Sequence, residues 1–127
     1  MKKIIIVDDE VQISKLLQTY LEQKIDASSS KKYEIKVFHG GNPCIEYLKL
    51  DGTADLILSD MRMPDGEGID ILNYINNEDK NIPLFFMTGF SGDFNSDDMI
   101  AKGAKKVFSK PFKCKDLVAE IETFLNR

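Results

Sequence analysis

Asp8 and Asp9 stand side by side directly after the apolar run Ile4-Ile5-Ile6-Val7, and Asp60 closes a second β-rich run, Asp55-Leu56-Ile57-Leu58-Ser59. Two further runs end on polar groups of other kinds: Leu84-Phe85-Phe86-Met87 on Thr88-Gly89, and residues 104–108 on Ser109-Lys110-Pro111. Brought to one place, Asp8, Asp9 and Asp60 repel one another, so the cluster is costly unless a cation sits among them. A hard divalent ion is implied. Magnesium suits best, because it takes few carboxylates, keeps several waters and leaves positions open for phosphate oxygens. Lys110 supplies a fixed positive charge and Thr88 a hydroxyl, the groups that hold the equatorial oxygens of a phosphoryl group. The nucleophile is then a carboxylate. Asp60 is the candidate, since it ends its run alone while the adjacent Asp8-Asp9 pair has the form of a metal holder, and aspartyl phosphates are established covalent intermediates.

Each of these residues has a plainer reading when taken alone. Asp-Asp-Glu at 8–10 can simply cap a helix, because Asp is a preferred N-cap and acids suit a first turn. Asp60 can be a turn residue before Met63-Pro64-Asp65-Gly66, Thr88 a satisfied strand-end hydroxyl and Lys110 a solvated lysine. It is their joint occurrence at successive strand ends that favours chemistry.

The elements that must position them alternate. Residues 4–7, 33–38, 55–58, 84–87 and 104–108 read as five strands, the first uninterrupted and β-branched as in a sheet covered on both faces. The last, with Lys105 and Lys106, reads as an edge strand protected by charge. Between them, Ile13, Leu16, Leu17, Tyr20 and Leu21 recur at helical spacing, as do Cys114, Leu117, Val118, Ile121, Phe124 and Leu125, so both helices are expected to pack on the sheet. Shorter helices are expected over 42–50, with Pro43 in the first turn, over 67–77 and over about 94–102. Gly40-Gly41, Asp51-Gly52, Asp65-Gly66 and Gly103 punctuate the boundaries, and 26–32 reads as an exposed loop. Such alternation implies right-handed crossovers and an α/β, doubly wound sandwich with a parallel sheet. In that architecture ligands bind beyond the carboxyl ends of the strands, where the strand order reverses.

With 127 residues, 43% apolar and 30% charged, the chain is the size of one domain, 1–127, with one proper core. The apolar run after Met1-Lys2-Lys3 is too short for a signal peptide or membrane span, so a cytoplasmic protein is expected. A net charge of −4 argues against nucleic acid as a direct partner of the whole surface. Cys44, Cys114 and the lone His39 lack zinc-ligand spacing, which leaves the cysteines reduced and packed.

Ile5-Ile6-Val7-Asp8-Asp9-Glu10, Asp55 through Met61-Arg62-Met63-Pro64, Leu84 through Thr88-Gly89, and Gly103-Ala104 through Lys110-Pro111-Phe112 together resemble the receiver domains of two-component response regulators, in family order and over essentially the whole chain. The resemblance implies a flavodoxin-type (βα)5 sandwich with a five-stranded parallel sheet of order 2-1-3-4-5. It makes Asp60 the phosphoacceptor, served by a sensor histidine kinase or a histidine phosphotransfer protein. Asp8, Asp9 and Asp60 would bind Mg2+ with the backbone carbonyl of Arg62, Thr88 and Gly89 would form the switch, and Lys110 would contact the phosphate. A cis Lys110-Pro111 bond is also implied.

One departure concerns readout. The family usually carries Tyr or Phe three residues before the lysine, where this chain has Val107, followed by Phe108. Either Phe108 substitutes through a local register change or the output face responds by another route. Arg62 and Phe90, two residues after Asp60 and Thr88, flank the expected path of attacking water and are expected to tune hydrolysis. The chain's end at Arg127 suggests a stand-alone regulator, with a module of a multidomain regulator or hybrid kinase as the alternative. An aspartyl phosphatase would be expected to carry an acid where Arg62 stands, so multiple-turnover catalysis is not expected. A phosphorylation-independent binding module would be expected to lack one of the motifs. Lys102, Lys105 and Lys106, set against acidic 93–98, suit a downstream protein or a second copy of the chain.

Overall fold

The computed structural model describes residues 1–89 and 96–126. Five strands, β1 (Lys2–Val7), β2 (Tyr33–Phe38), β3 (Leu56–Asp60), β4 (Leu84–Thr88) and β5 (Lys106–Ser109), alternate with five helices: α1 (Val11–Glu22), α2 (Gly41–Lys49), α3 (Gly68–Asn77), α4 (Ser96–Ala101) and α5 (Cys114–Leu125). The strands form one sheet in the order β2-β1-β3-β4-β5, and every pairing is parallel. The doubly wound expectation is met.

Period-2 alternation divides the core into two layers. Ile5, Val7, Ile57 and Phe86 face the side covered by α2, α3 and α4, where they meet Cys44, Leu48, Ile71, Leu72 and Met99. Ile4, Ile6, Leu58 and Phe85 face the opposite side and meet Leu17 and Leu21 of α1 and Leu117, Val118 and Ile121 of α5. Each fully buried Leu, Ile or Phe contributes about 1.5–3 kcal/mol by leaving water. Because β1, β3 and β4 are covered on both faces, their sequences are continuous apolar runs rather than alternating ones.

Several expected boundaries shift. β3 continues two residues beyond Leu58, through Ser59 and Asp60, since Val7 still pairs with Ser59 and Asp60 with Met87. β5 starts at Lys106 rather than 104, and Ala104 is instead buried under α4, its amide bonded to the Met99 carbonyl at 3.0 Å. Leu16 and Tyr20, expected in the packed stripe of α1, are 48% and 38% exposed. The helix offers the sheet a narrower face than its apolar spacing suggests. Of the helix expected over about 94–102, residues 96–101 are helical and 94–95 lie outside the described residues.

The loop at 26–32 is more ordered than a solvated tether. The Asp26 carboxylate accepts hydrogen bonds from Ser28 and Ser30 amides, and Ile25 and Lys31 form an antiparallel bridge. Its end is fastened to α5, where the Glu122 carboxylate takes Lys32 at 3.0 Å, Lys24 at 3.3 Å and the Tyr33 hydroxyl at 3.2 Å. Among the described residues, no helix is long and apolar enough to cross a membrane.

Candidate phosphoacceptor and metal site

The sheet order reverses between β1 and β3, since β1 is followed in sequence by β2 on one side and flanked by β3 on the other. Carboxyl ends of strands open there into a crevice, and those ends carry Asp8-Asp9 and Asp60. One carboxylate oxygen from each of Asp8, Asp9 and Asp60 lies within 4.8 Å of the others. Asp8 is fully buried, Asp60 is 7% exposed and Asp9 is exposed.

Local geometry fixes the side chains. Asp8 Oδ1 accepts the Glu10 amide at 2.9 Å, and Asp60 Oδ1 accepts the Met61 amide at 2.8 Å. The other Asp60 oxygen, Oδ2, is 3.0 Å from Lys110 Nζ. Lys110 arrives from the end of β5, its own amide tied to the Thr88 carbonyl at 2.7 Å. The Lys110-Pro111 bond is cis. Behind Asp60, α3 begins so close that a Cβ at Gly68 would run into the Asp60 carbonyl oxygen and stand 2.8 Å from the Phe86 ring. Only glycine fits.

A cleft of about 200 Å³ lies over these groups, lined by Asp9, Asp60, Arg62, Thr88, Gly89 and Lys110 among others. The residues expected to do chemistry are therefore brought together around one space. Phe90 lies outside the described residues.

Charge balance explains the electrostatics. Burial pushes the Asp8 carboxyl up to about 6, with the Asp60 charge adding to the effect while the Glu10 amide and Lys110 oppose it. Burial works to lower the Lys110 pKa, but hydrogen bonds to Glu10 and Asp60 and the charges of Asp60 and Asp8 outweigh it and hold the ammonium above the ordinary lysine value. One ammonium cannot neutralise four acids. A divalent cation among Asp8, Asp9 and Asp60 would relieve the repulsion, and three hard oxygens with an open cleft beside them fit Mg2+.

Glu10 is a group whose role the sequence did not disclose. It occupies the N-cap of α1, yet its side chain makes no capping bond. Instead Glu10 Oε1 is 2.8 Å from Lys110 Nζ, closer than Asp60 at 3.0 Å or Asp8 at 3.4 Å. The capping expected of Asp-Asp-Glu is thus not made by Glu10. Its adjacency to the acidic pair was the available signal, but nothing local says that Lys110, 100 residues away, would reach it.

The sequence model of the response regulator receiver domain matches residues 4–122. The chain belongs to that family. A response regulator receiver protein of Brucella abortus, CpdR, is 31% identical over 98% of this chain and 98% of its own length. The transcriptional regulatory protein ResD of Bacillus subtilis is also 31% identical over 98% of this chain, but the match spans only 48% of ResD. A CheY-like receiver domain from Methanospirillum hungatei superposes with a TM-score of 0.83 at 25% identity, covering 99% of this chain and 94% of that one. This receiver is therefore a module of two-component signalling, and the chain spans all of one kind of relative and about half of another.

Within the receiver, Val107 and Phe108 fall on opposite faces of the sheet. Val107 pairs in register with Phe86 and packs toward the α3 and α4 layer. Phe108 pairs with Met87 and packs into the α1 and α5 layer, its ring centroid 5.7 Å from that of Phe85. Phe108 therefore lies in the layer opposite to the one Val107 faces.

Proposed function

We propose that this receiver accepts a phosphoryl group on Asp60 from a phosphohistidine, carried by a sensor histidine kinase or histidine phosphotransfer protein, and changes its affinity for a downstream protein. It would act in the cytoplasm as a single-domain regulator. The observation that carries the reading is the pairing of a nearly buried Asp60 with Lys110 at 3.0 Å inside the acidic cluster.

Asp8, Asp9 and Asp60, with the Arg62 backbone carbonyl, would hold Mg2+, which when bound offsets negative charge on the phosphoryl oxygens. Lys110 orients Asp60 through its 3.0 Å contact and supplies a second positive charge for the phosphoryl oxygens. Thr88, at the rim of the same cleft, offers its hydroxyl to a further oxygen. In the transfer, an Asp60 carboxylate oxygen forms the new bond to phosphorus as the phosphorus–nitrogen bond to the imidazole breaks; the ring retains that electron pair. Hydrolysis of the acyl phosphate returns Asp60, so the protein is modified and reset rather than turning over a separate substrate. Phosphorylation then shifts a pre-existing equilibrium of the output surface.

The relatives of about twice this length favour a second reading, in which the same chemistry serves a receiver joined to an output domain. The length of the native gene separates the two.

Intact mass after incubation with acetyl phosphate tests the chemistry. The expected result is a Mg2+-dependent gain of one phosphoryl group that Asp60→Asn abolishes. No gain under rapid sampling, in conditions that label another receiver, would overturn the reading in favour of a phosphorylation-independent binding module.

A further inference from the structure

The turn from β2 into α2, residues 39–42, touches both loops that carry the acidic groups. On one side the Asp8 amide donates to the Phe38 carbonyl at 3.0 Å, and His39 Nδ1 lies 3.0 Å from the Asp8 carbonyl oxygen. On the other, the Gly41 and Asn42 amides donate to the carbonyls of Gly66 and Asp65 at 2.8 and 2.9 Å, in the loop that follows Asp60. Asn42 Nδ2 adds a bond to Asp65 Oδ1 at 3.1 Å. A Cβ at Gly40 would meet the Asp65 carbonyl oxygen at 2.5 Å, and one at Gly41 would meet that of Gly66 at 2.8 Å, so the turn lies backbone against backbone on its neighbour. It bridges the acidic pair and the loop beyond Asp60.

A carbonyl oxygen can only accept, so the hydrogen bond requires the proton of His39 to sit on Nδ1. The carbonyl it holds belongs to the peptide that joins Asp8 to Asp9. The Asp8 carboxylate is buried and has partners of its own in the Glu10 amide and Lys110. Asp9 is exposed, and the direction of its side chain follows from that peptide.

We propose that His39 is a positioning residue for the metal site: by donating Nδ1–H to the Asp8 carbonyl it fixes the Asp8–Asp9 peptide, aims Asp9, and so raises affinity for a divalent cation. This rests on the metal reading of the cluster. Partners that orient metal ligands typically contribute ten- to a hundredfold in affinity, and His39, which is exposed and acts one peptide away, is expected to contribute roughly three- to tenfold.

Two measurements decide it. In the metal-free protein, nitrogen-15 NMR of the neutral imidazole should show the Nδ1–H tautomer; a proton on Nε2 would overturn the inference without reference to any metal. Calorimetric titration with Mg2+ should then show a weaker dissociation constant for His39→Ala and near wild-type affinity for His39→Asn, whose amide nitrogen can donate from the place of Nδ1. Unchanged affinity in His39→Ala, or His39→Asn no better than His39→Ala, would overturn it. Wild-type protein that binds no Mg2+ would remove the metal reading and this inference together, whereas wild-type binding lost in Asp9→Asn keeps the metal reading standing on its own.

Discussion

Lys110 has three N–H donors and three carboxylates within reach of them. A phosphoryl oxygen can be served only if one is given up. Glu10 is the one to release, because its side chain is 55% exposed and outside the acidic cluster, so water can take over its solvation. Glu10→Gln should therefore speed phosphorylation of Asp60 by acetyl phosphate at saturating Mg2+, about fivefold for an exposed pair contributing about 1 kcal/mol. Stopped-flow measurement of the modification rate checks this, and a slower rate would show that Glu10 steadies Lys110 instead of competing for it. Arg62 is exposed and lines the cleft next to Asp60. Arg62→Ala should shorten the life of the acyl phosphate several-fold by opening a path for water, as followed by loss of the phosphorylated mass after donor removal. At this scale the sequence was most legible where a chemical type coincided with a strand end: Asp8, Asp9, Asp60, Thr88 and Lys110 all reach one site. Glu10 and His39 were illegible because their partners, Lys110 Nζ and a backbone carbonyl, are set by tertiary approach and leave no local pattern.

At the level of elements, α5 is held to the start of the sheet by polar contacts as well as by its apolar face. Glu122 gathers Lys24 from beyond α1 and Lys32 and Tyr33 from the start of β2. Burial works to raise the Glu122 pKa, but hydrogen bonds from Lys32 and Lys24 outweigh it and leave the carboxyl below its ordinary value. A depressed acid contributes stability above its unfolded pKa and loses it as pH falls through the folded value. Glu122→Ala should lower stability by about 1 kcal/mol at neutral pH, less in high salt, and the gap should close in acid. Urea denaturation at two pH values and two salt concentrations reads all three. Helical periodicity identified α1 and α5 correctly, but it assigned Leu16 and Tyr20 to the core because spacing marks an apolar stripe without saying how wide a stripe the sheet can cover. The strand bound at Leu58 fell short because Ser59 and Asp60 are polar and end the apolar run, yet the ladder to β1 and β4 continues through them.

For the whole molecule, the acidic cluster is a destabilising feature that function requires. Burial pushes the Asp8 carboxyl from the ordinary 3.8 up to about 6 in the fold, so the metal-free native state binds an extra proton between those values. Its stability should fall as pH rises from about 4 to about 6 and stay reduced above that. Asp8→Asn should raise the metal-free melting temperature at pH 7 and flatten its dependence on pH. Mg2+ at a hundred times its dissociation constant should stabilise the wild type by about 2.7 kcal/mol. That gain should fade below about pH 6, where the Asp8 carboxyl takes up a proton, and should be absent in Asp8→Asn; thermal melts with and without Mg2+ test each statement. The parallel sheet was readable from the alternation of strands and helices and from the continuously apolar runs of β1, β3 and β4, whereas the strand order came only from the family resemblance. That Val107 and Phe108 face opposite layers follows from strand alternation, but which layer each joins follows only from the register of β5 on β4.

The close approach of α3 to the back of Asp60 has a consequence for mutational tolerance. Two glycines flank the acceptor, and they are constrained in different ways. A methyl group at Gly68 collides with the Asp60 carbonyl oxygen, whereas at Gly89 the nearest atom is a Lys110 side-chain carbon at 4.0 Å. A saturation library scored for abundance should reject every residue at 68 and accept alanine at 89. If the same library scored for phosphorylation then rejects alanine at 89, the restriction there comes from the space a phosphoryl group occupies, so comparing the two scores separates what the fold demands from what the chemistry demands.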